Sequence, residues 1–471
     1  MPVEVSVIAT STLGDRSYLV SDGEIAVVVD PQRDIDRVLA LAGRSGLRIS
    51  HVAETHIHND YVSGGLHLAR LTGARYLVAE ADQVAFSRVA VRDGDVIEVS
   101  ARLRLRVLAT PGHTFNHLSY VLDQRGPGGD WHPVGVFTGG SLLFGTTART
   151  DLLGKRYADE LARAQHASAH RLADLLPDGV QVWPTHGFGS FCAAGQSSGD
   201  AEQDSSTIGQ EKADNPVFRL AADEFVSQTL AGLDVYPAYY AHMGVANLAG
   251  PEPVDLTPVR RADPAEIRDR VAAGEWLVDL RHRAAYMSRH LTGTVSLGLD
   301  GQMSTWLGWL IDWGTPVTLL GETREQVAEA QRELVRVGID RPAAAATGHP
   351  ARWAADPSQL RTIPVADFAA LAGSRDGRLD DDLPPPGVVL DVRTGSEWRE
   401  SHIAGAVHIP LYELPRRLDD VPDGALWVHC TSGYRAGVAA SLLANAGRRV
   451  VLLDDDIERA GKLGIPMVKD S

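Results

Sequence analysis

The 471-residue chain predicts an α/β protein: an αββα sandwich followed by two smaller α/β domains. Three observations carry that expectation. Short β-branched runs alternate with helical runs as far as residue 190. A stretch punctuated by Pro and Gly, "ANLAGPEPVDLTP", then interrupts the pattern. Beyond it one motif occurs twice at a constant offset, the mark of a repeated domain. Length agrees, since about three domains follow from roughly 150 residues each. The boundaries drawn are 1–250, 256–350 and 360–471.

Taken in order, "VEVSVIAT", "YLVSD", "IAVVVD" and "ISHVAET" are strands, rich in β-branched residues. "DIDRVLALAGRSG" is a helix with an aspartate cap and a glycine stop. "LRLRVLAT", "HLSYVLD" and "PVGVFTGG" return to strand. "YADELARAQHASAHRLADLL" is a long amphipathic helix, and "VQVWPTHG" a strand entering a loop. Residues 195–216, rich in Ser, Gly and acids, are expected to be a loop or linker. A helix around "LAADEFVSQTLAGL" follows. In the repeat, "LVDLRHRAAYMSRHLTGTVSLGL" is set against "VLDVRTGSEWRESHIAGAVHIPL". Asp279 then meets Asp391, Arg281 meets Arg393, Tyr286 meets Trp398, His290 meets His402 and Gly293 meets Gly405.

A net charge of −16 argues against a nucleic-acid or acidic-membrane surface. The two cysteines, Cys192 and Cys430, lie too far apart in sequence to suggest a disulfide framework. "MPVEVSVIAT" has no basic segment followed by an apolar run. The expectation is a cytoplasmic protein with no membrane span.

"THIHND" holds His56, His58 and Asp60 at alternate positions in a loop leaving a strand. Neutral imidazoles there can converge on one cation. "TPGHT" supplies His113 and "WPTHG" supplies His186, each also just after a β-run. All could meet at one sandwich edge, giving His56, His58, Asp60, His113 and His186 as candidate metal ligands. His117, His166 and His170 are read as solvated or packed, and Cys192 as a packed small residue.

In the order "THIHND", "TPGHT", "FTGGSL", "RTDLLG" and "PTHG", residues 1–245 resemble the metallo-β-lactamase superfamily. Within it they are most like the glyoxalase II-like branch and its persulfide dioxygenases. The resemblance implies an αββα sandwich and a metal. Two positions depart from the family: Tyr61 stands for a histidine and Gly140 for a metal-binding aspartate. Losing both argues against a two-metal hydrolase. The dioxygenases would hold Fe(II) by two histidines, matched by His56 and His113, and by the carboxylate missing at Gly140. Three readings stay open. His56, His58 and His113 hold one metal; or Asp60 or His186 substitutes; or the site is degenerate and holds none. One divalent metal, Fe(II) before Zn(II), is expected. Gly140→Asp should tighten binding if the site is only weakened. The resemblance also sets Arg149 near a glutathione moiety, with an ion pair to Asp151 as the structural alternative.

"VHCTSGYRAGVAASLLANAG" is a strand, a tight loop and a helix. Amides at such a junction cradle an anion, favour thiolate and make Cys430 a nucleophile toward sulfane sulfur. Cys430 and Arg435 are the candidate catalytic pair, with Thr431, Ser432, Gly433 and Tyr434 as substrate-binding loop residues. The Cys-x-x-Gly-x-Arg loop and the "LDVRTGSEWRESHIAGAVHIP" signature resemble rhodanese sulfurtransferases over residues 360–471. Phosphatase loops of this kind hold one more residue. Arg393 is assigned to fold bracing or to the substrate entry. In the first copy "VTLLGETREQ" sets Leu319 at the cysteine position and Arg324 at that of Arg435, so this rhodanese-like domain is expected to be non-catalytic, with packing, docking or homo-oligomerisation as its roles.

The expected function is a fusion. A metal domain would oxidise a glutathione persulfide-like substrate, and a rhodanese would pass sulfane sulfur through Cys430 between thiosulfate or sulfite and a low-molecular-weight thiol. No nucleic acid or membrane partner is expected. The alternatives are a sulfurtransferase with a degenerate metal domain and a metal-dependent thioester-type hydrolase.

Overall fold

A computed structural model describes residues 3–187, 189–194 and 205–469. The chain divides into two compact units. One comprises Met1–Val254 with Val335–Gly338, the other Asp255–Leu334 with Ile339–Ser471.

The first unit is an αββα sandwich. One six-stranded sheet runs Glu4–Thr10, Asp15–Ser21, Ile25–Val29, Arg48–Ala53, Arg75–Ala79, Val89–Val91. The other runs Ser206–Thr207, Gln181–Pro184, Trp131–Gly139, Leu118–Arg125, Leu103–Ala109, Val96–Glu98. Strand alternation sorts the side chains. Val27 and Val29 meet Leu103, Leu105, Tyr120 and Phe137 between the sheets. Ala26 and Val28 face outward, packed with Val38 and Ala42 of the helix Asp36–Arg44 and with Leu66 and Leu68 of Gly65–Thr72. On the other outer face Val121, Val136 and Val182 pack with Ala162, Ala169 and Leu172 of the helix Ala158–Leu175.

Two local expectations are corrected. The helix Asp36–Arg44 has no side-chain cap; the Asp34 carboxylate accepts from Arg37 instead, at 3.1 Å. Within the expected linker, residues 195–204 lie outside the described residues, but Ser206–Thr207 pairs with Gln181 and Val182. The helix Ile208–Asp214 follows, begun by a Thr207/Gln210 capping box. Polar composition concealed that box, together with Ile208, which is buried in the outer core.

The second unit holds two parallel sheets. The first is ordered Thr294–Ser296, Trp276–Asp279, Val317–Gly321, Ala344–Thr347. The second is ordered Val365–Ala366, Arg449–Leu453, Ala425–His429, Val388–Asp391, Val407–His408. Register revises the match between the copies. Asp279 lies opposite Leu320, and its repeat partner Asp391 lies opposite His429. Gly321, not Leu319, therefore occupies the position of Cys430. In the second copy three residues, 431–433, separate Cys430 from the helix Tyr434–Asn445. In the first, only Glu322 and Thr323 separate Gly321 from the helix Arg324–Arg336. Arg324 thus opens its helix where Tyr434, rather than Arg435, opens the other. No helix among the described residues is long and apolar enough to cross a membrane.

Candidate functional site

The strand ends of the sandwich gather His56, His58, Asp60, His113 and His186 below the surface, each at most 2% exposed. His56, His58 and His186 offer donor atoms within 4.8 Å of one another; so do His113, His186 and Cys192, and Asp15, Asp60 and His186. His186 belongs to all three groups.

Each histidine has one nitrogen fixed by the protein. The Arg149 carbonyl can only accept, so His113 Nδ1, 2.7 Å away, carries the hydrogen. Thr55 Oγ1 gives its proton to Asp30 at 2.7 Å and so accepts from His56 Nδ1 at 2.9 Å. His186 Nδ1 donates to Asp15 at 3.0 Å and lies 3.2 Å from Asp60 Oδ2. His58 Nε2 sits among Asp30 (3.3 Å), Glu54 (3.2 Å) and the Tyr61 hydroxyl (3.0 Å). What remains is His56 Nε2, His58 Nδ1, His113 Nε2 and His186 Nε2, all buried and without a hydrogen bond, as are both Asp60 oxygens. A buried polar atom left unpaired costs about 1–3 kcal/mol. Several lone pairs orphaned together therefore fit a divalent cation.

Electrostatics sorts the rings. Burial, reinforced by the neighbouring histidines, lowers His56 well below the usual range and His113 to about 3, leaving both neutral as ligation requires. At His58 burial works the same way, but Asp30 and Glu54 outweigh it and raise the ring to about 10. Asp60 and Asp15 likewise overcome burial at His186, raising it to about 9. A cation entering this cradle would displace those protons.

Tyr61 is fully buried and stacks on His58 at 4.3 Å. Its hydroxyl holds the Nε2 of His58, on the far side of that ring from the unpaired Nδ1. At Gly140 a Cβ would lie 2.5 Å from His113 Cδ2, and the Gly140 amide donates to His117 Nε2 at 3.0 Å. The position has no space for a carboxylate, so the expected gain from Gly140→Asp is withdrawn. His117 is packed, stacked on His56 at 4.9 Å. Cys192 is buried, with Sγ 3.7 Å from the Tyr240 hydroxyl, and burial pushes its thiol well up. Arg149 grips Asp151 through Nε (2.7 Å) and Nη2 (2.9 Å), donates to the carbonyls of Phe191 and Asp234, and lies over the Tyr236 ring. That is the structural alternative, with the guanidinium fully committed. Asp15, Asp30 and Glu54 were not singled out in the sequence. The one available signal was the invitation of each ligand's second nitrogen to a partner.

In the second unit Cys430 ends its strand and is 2% exposed. The Gly433 amide donates to its Sγ at 3.2 Å. Gly433 has φ +96°, and a Cβ there would run into Asp454 and Arg283. Arg435 forks onto Glu397 with both bonds at 2.6 Å and donates to Thr431 Oγ1 at 2.8 Å, while Thr431 donates to Glu397 at 2.7 Å. Burial would raise the Glu397 carboxyl, but Arg435 outweighs it and holds it at about 2. Arg435 is therefore a brace for the loop. Glu397, missed in the sequence, is its anchor. The first copy reaches this loop: Arg283 donates to the Ser432 carbonyl at 3.3 Å and to Asp454 at 2.8 Å, and Trp306 lies under Arg435 at 6.0 Å. Tyr434 turns away to donate to the Gly298 carbonyl at 2.9 Å. Arg393 is buried on Asp391 (2.6 Å) and the Ser401 carbonyl (2.7 Å), braced into the fold rather than turned to the loop.

Known proteins match both regions. The metallo-beta-lactamase superfamily model covers residues 14–178 and the rhodanese-like domain model residues 376–460. The chain is 28% identical over 266 residues to human persulfide dioxygenase ETHE1, mitochondrial, a match spanning 56% of this chain and 85% of that protein. It is 30% identical over 182 residues to a hydroxyacylglutathione hydrolase of Polaromonas sp., spanning 36% of this chain and 62% of the hydrolase. Among solved structures, a metallo-beta-lactamase from Staphylococcus aureus superposes with a TM-score of 0.65 at 28% identity, covering 74% of this chain and 99% of that one.

Proposed function

We propose, for a chain that joins a metallo-beta-lactamase domain homologous to ETHE1 and glyoxalase II to a C-terminal rhodanese-like domain, a two-site enzyme of sulfur metabolism. The first site is read as a metal-dependent persulfide dioxygenase and the second as a sulfurtransferase working through Cys430. The observation that carries the first reading is the set of four buried ring nitrogens left without hydrogen bonds.

His56, His58, His113 and His186 would hold the metal, with Asp60 beside them. A redox-active divalent ion there would supply a path for electrons from the persulfide sulfur to O₂. The balance is RSSH + O₂ + H₂O giving RSH, sulfite and two protons. The chain's own task is orientation. Thr55, Asp15 and the Arg149 carbonyl fix three rings, and Tyr61 with Asp30 and Glu54 fixes the fourth.

At the second site the Cys430 thiolate attacks the outer sulfur of thiosulfate. The S–S bond breaks, sulfite leaves with the electron pair, and a cysteine persulfide remains. An acceptor thiolate or cyanide then takes the terminal sulfur. The Gly433 amide faces the reacting sulfur, and the Arg435–Glu397–Thr431 brace holds the loop open around it.

Elemental analysis of anaerobically purified protein, with oxygen uptake on glutathione persulfide, tests the first site. Bound iron with one O₂ consumed per persulfide is the expected result. A metal-loaded protein that consumes none leaves the sulfurtransferase reading. Thiosulfate-to-cyanide transfer tests the second site, and Cys430→Ser should reduce it by at least about a hundredfold. Undiminished turnover in that variant removes the assignment.

A further inference from the structure

The catalytically silent copy has a feature of its own. A cavity of about 480 Å³ opens between the helix Arg324–Arg336, the end of the strand Ala344–Thr347 and the extended segment 256–261. That volume lies within the span typical of small-molecule sites. In open parallel sheets such sites form beyond the carboxyl ends of the strands, where Ala345, Ala346 and Thr347 lie. Val259 and Val327 add to the apolar walls, while Arg261 and Arg324, both exposed, are the basic residues of the lining.

Those cations differ from Arg435. In the active copy Glu397 pulls the arginine down into a two-pronged ion pair. The constant offset that matches Asp279 to Asp391 places Ala285 where Glu397 stands, so the silent copy has no such carboxylate. Neither the Arg261 nor the Arg324 guanidinium forms a hydrogen bond or ion pair among the described residues. Glu325 also lines the cavity, its carboxyl lowered by hydrogen bonding at its own helix start, to its own amide and Thr323, and by the neighbouring Arg324 charge. One acid against two cations leaves the lining net positive.

We infer that this cavity is a binding site for a small organic anion, a carboxylate or sulfonate carried on an apolar body. The apolar walls take the body, and Arg261 and Arg324 take the anionic head. Guanidinium forks match planar or trigonal oxyanions and lose less hydration than an ammonium would. The inference is independent of the chemistry assigned to Cys430 and to the histidine cluster.

The test uses the full chain and the fluorescent probe 1-anilinonaphthalene-8-sulfonate, with neutral N-phenyl-1-naphthylamine as its uncharged counterpart. The expected result is one saturable sulfonate site per chain, preferred over the neutral dye. In the Arg261→Ala/Arg324→Ala double variant the sulfonate should bind at least about tenfold more weakly, with the neutral dye unchanged. Ala328 lines the cavity from the exposed side of the helix, so Ala328→Trp should fill the space and abolish saturable binding without disturbing the core. Far-UV circular dichroism establishes that each variant is folded, and should the double variant fail to fold, Ala328→Trp decides alone. Sulfonate binding that survives Ala328→Trp, or that is as tight without the two arginines, overturns the inference. So does equal affinity for the two dyes.

Discussion

Glu397 illustrates how much a single carboxylate can organise. It anchors Arg435 and Thr431 at once, with its acidity held at about 2 against an ordinary 4.5. A depressed carboxyl contributes stability that is complete above pH 4.5 and is lost as pH falls through about 2. The contribution is on the order of 2–3 kcal/mol. Unfolding titrations between pH 5 and 2 should show this slope in the native chain and a flatter one in Glu397→Gln. The same variant should lower sulfur transfer about tenfold by loosening the loop. At the other site Gly140→Asp should destabilise the chain by roughly 1–3 kcal/mol through crowding of His113. It should give no gain in bound metal, as read by thermal unfolding beside elemental analysis. The five candidate ligands were legible because their spacing is chemical: alternate residues after a strand, then histidines at two further strand ends. Their supports were not. Asp30 and Asp15 come from the ends of other strands, Glu54 stands two residues before His56 without a spacing of its own, and Arg149 shows that a residue type suited to substrate serves equally for an internal ion pair.

Among elements, the strand–loop–helix junctions distinguish the two copies of the repeat. One fewer loop residue and Gly321 at the cysteine position leave the first copy without the thiol and with a shorter turn than the cradle uses. Gly321→Cys should therefore not confer thiosulfate turnover on a Cys430→Ser background, as measured by cyanide trapping. Detectable transfer would show that loop length is not what limits it. Strands were legible from β-branched runs and the long helix from its period. The match between copies slipped by two residues after the shared motif because nothing in the intervening sequence counts register. Only pairing across the sheet does that, Asp279 with Leu320 and Asp391 with His429.

For the whole molecule, the metal-ligand candidates all lie in one compact unit and the cysteine loop in the other. A metal present at a hundred times its dissociation constant adds about 2.7 kcal/mol to the unit that holds it. Chelation should accordingly lower one calorimetric transition and spare thiosulfate turnover. Equal loss of both would argue that the ion supports more than the sandwich. The division into a sandwich and a repeated domain was legible from the alternation of runs and the constant offset. The start of the helix Ile208–Asp214 was masked by its acidic, Ser-rich surroundings.

The ring of His113 pressed against Gly140 also bears on how such a site can change over time. No single substitution places an acid at that position without displacing the imidazole, and displacing it disturbs the cluster of candidate ligands. The glycine thus behaves as a ratchet: an acid reaches that position only by a path whose intermediate is worse than either end.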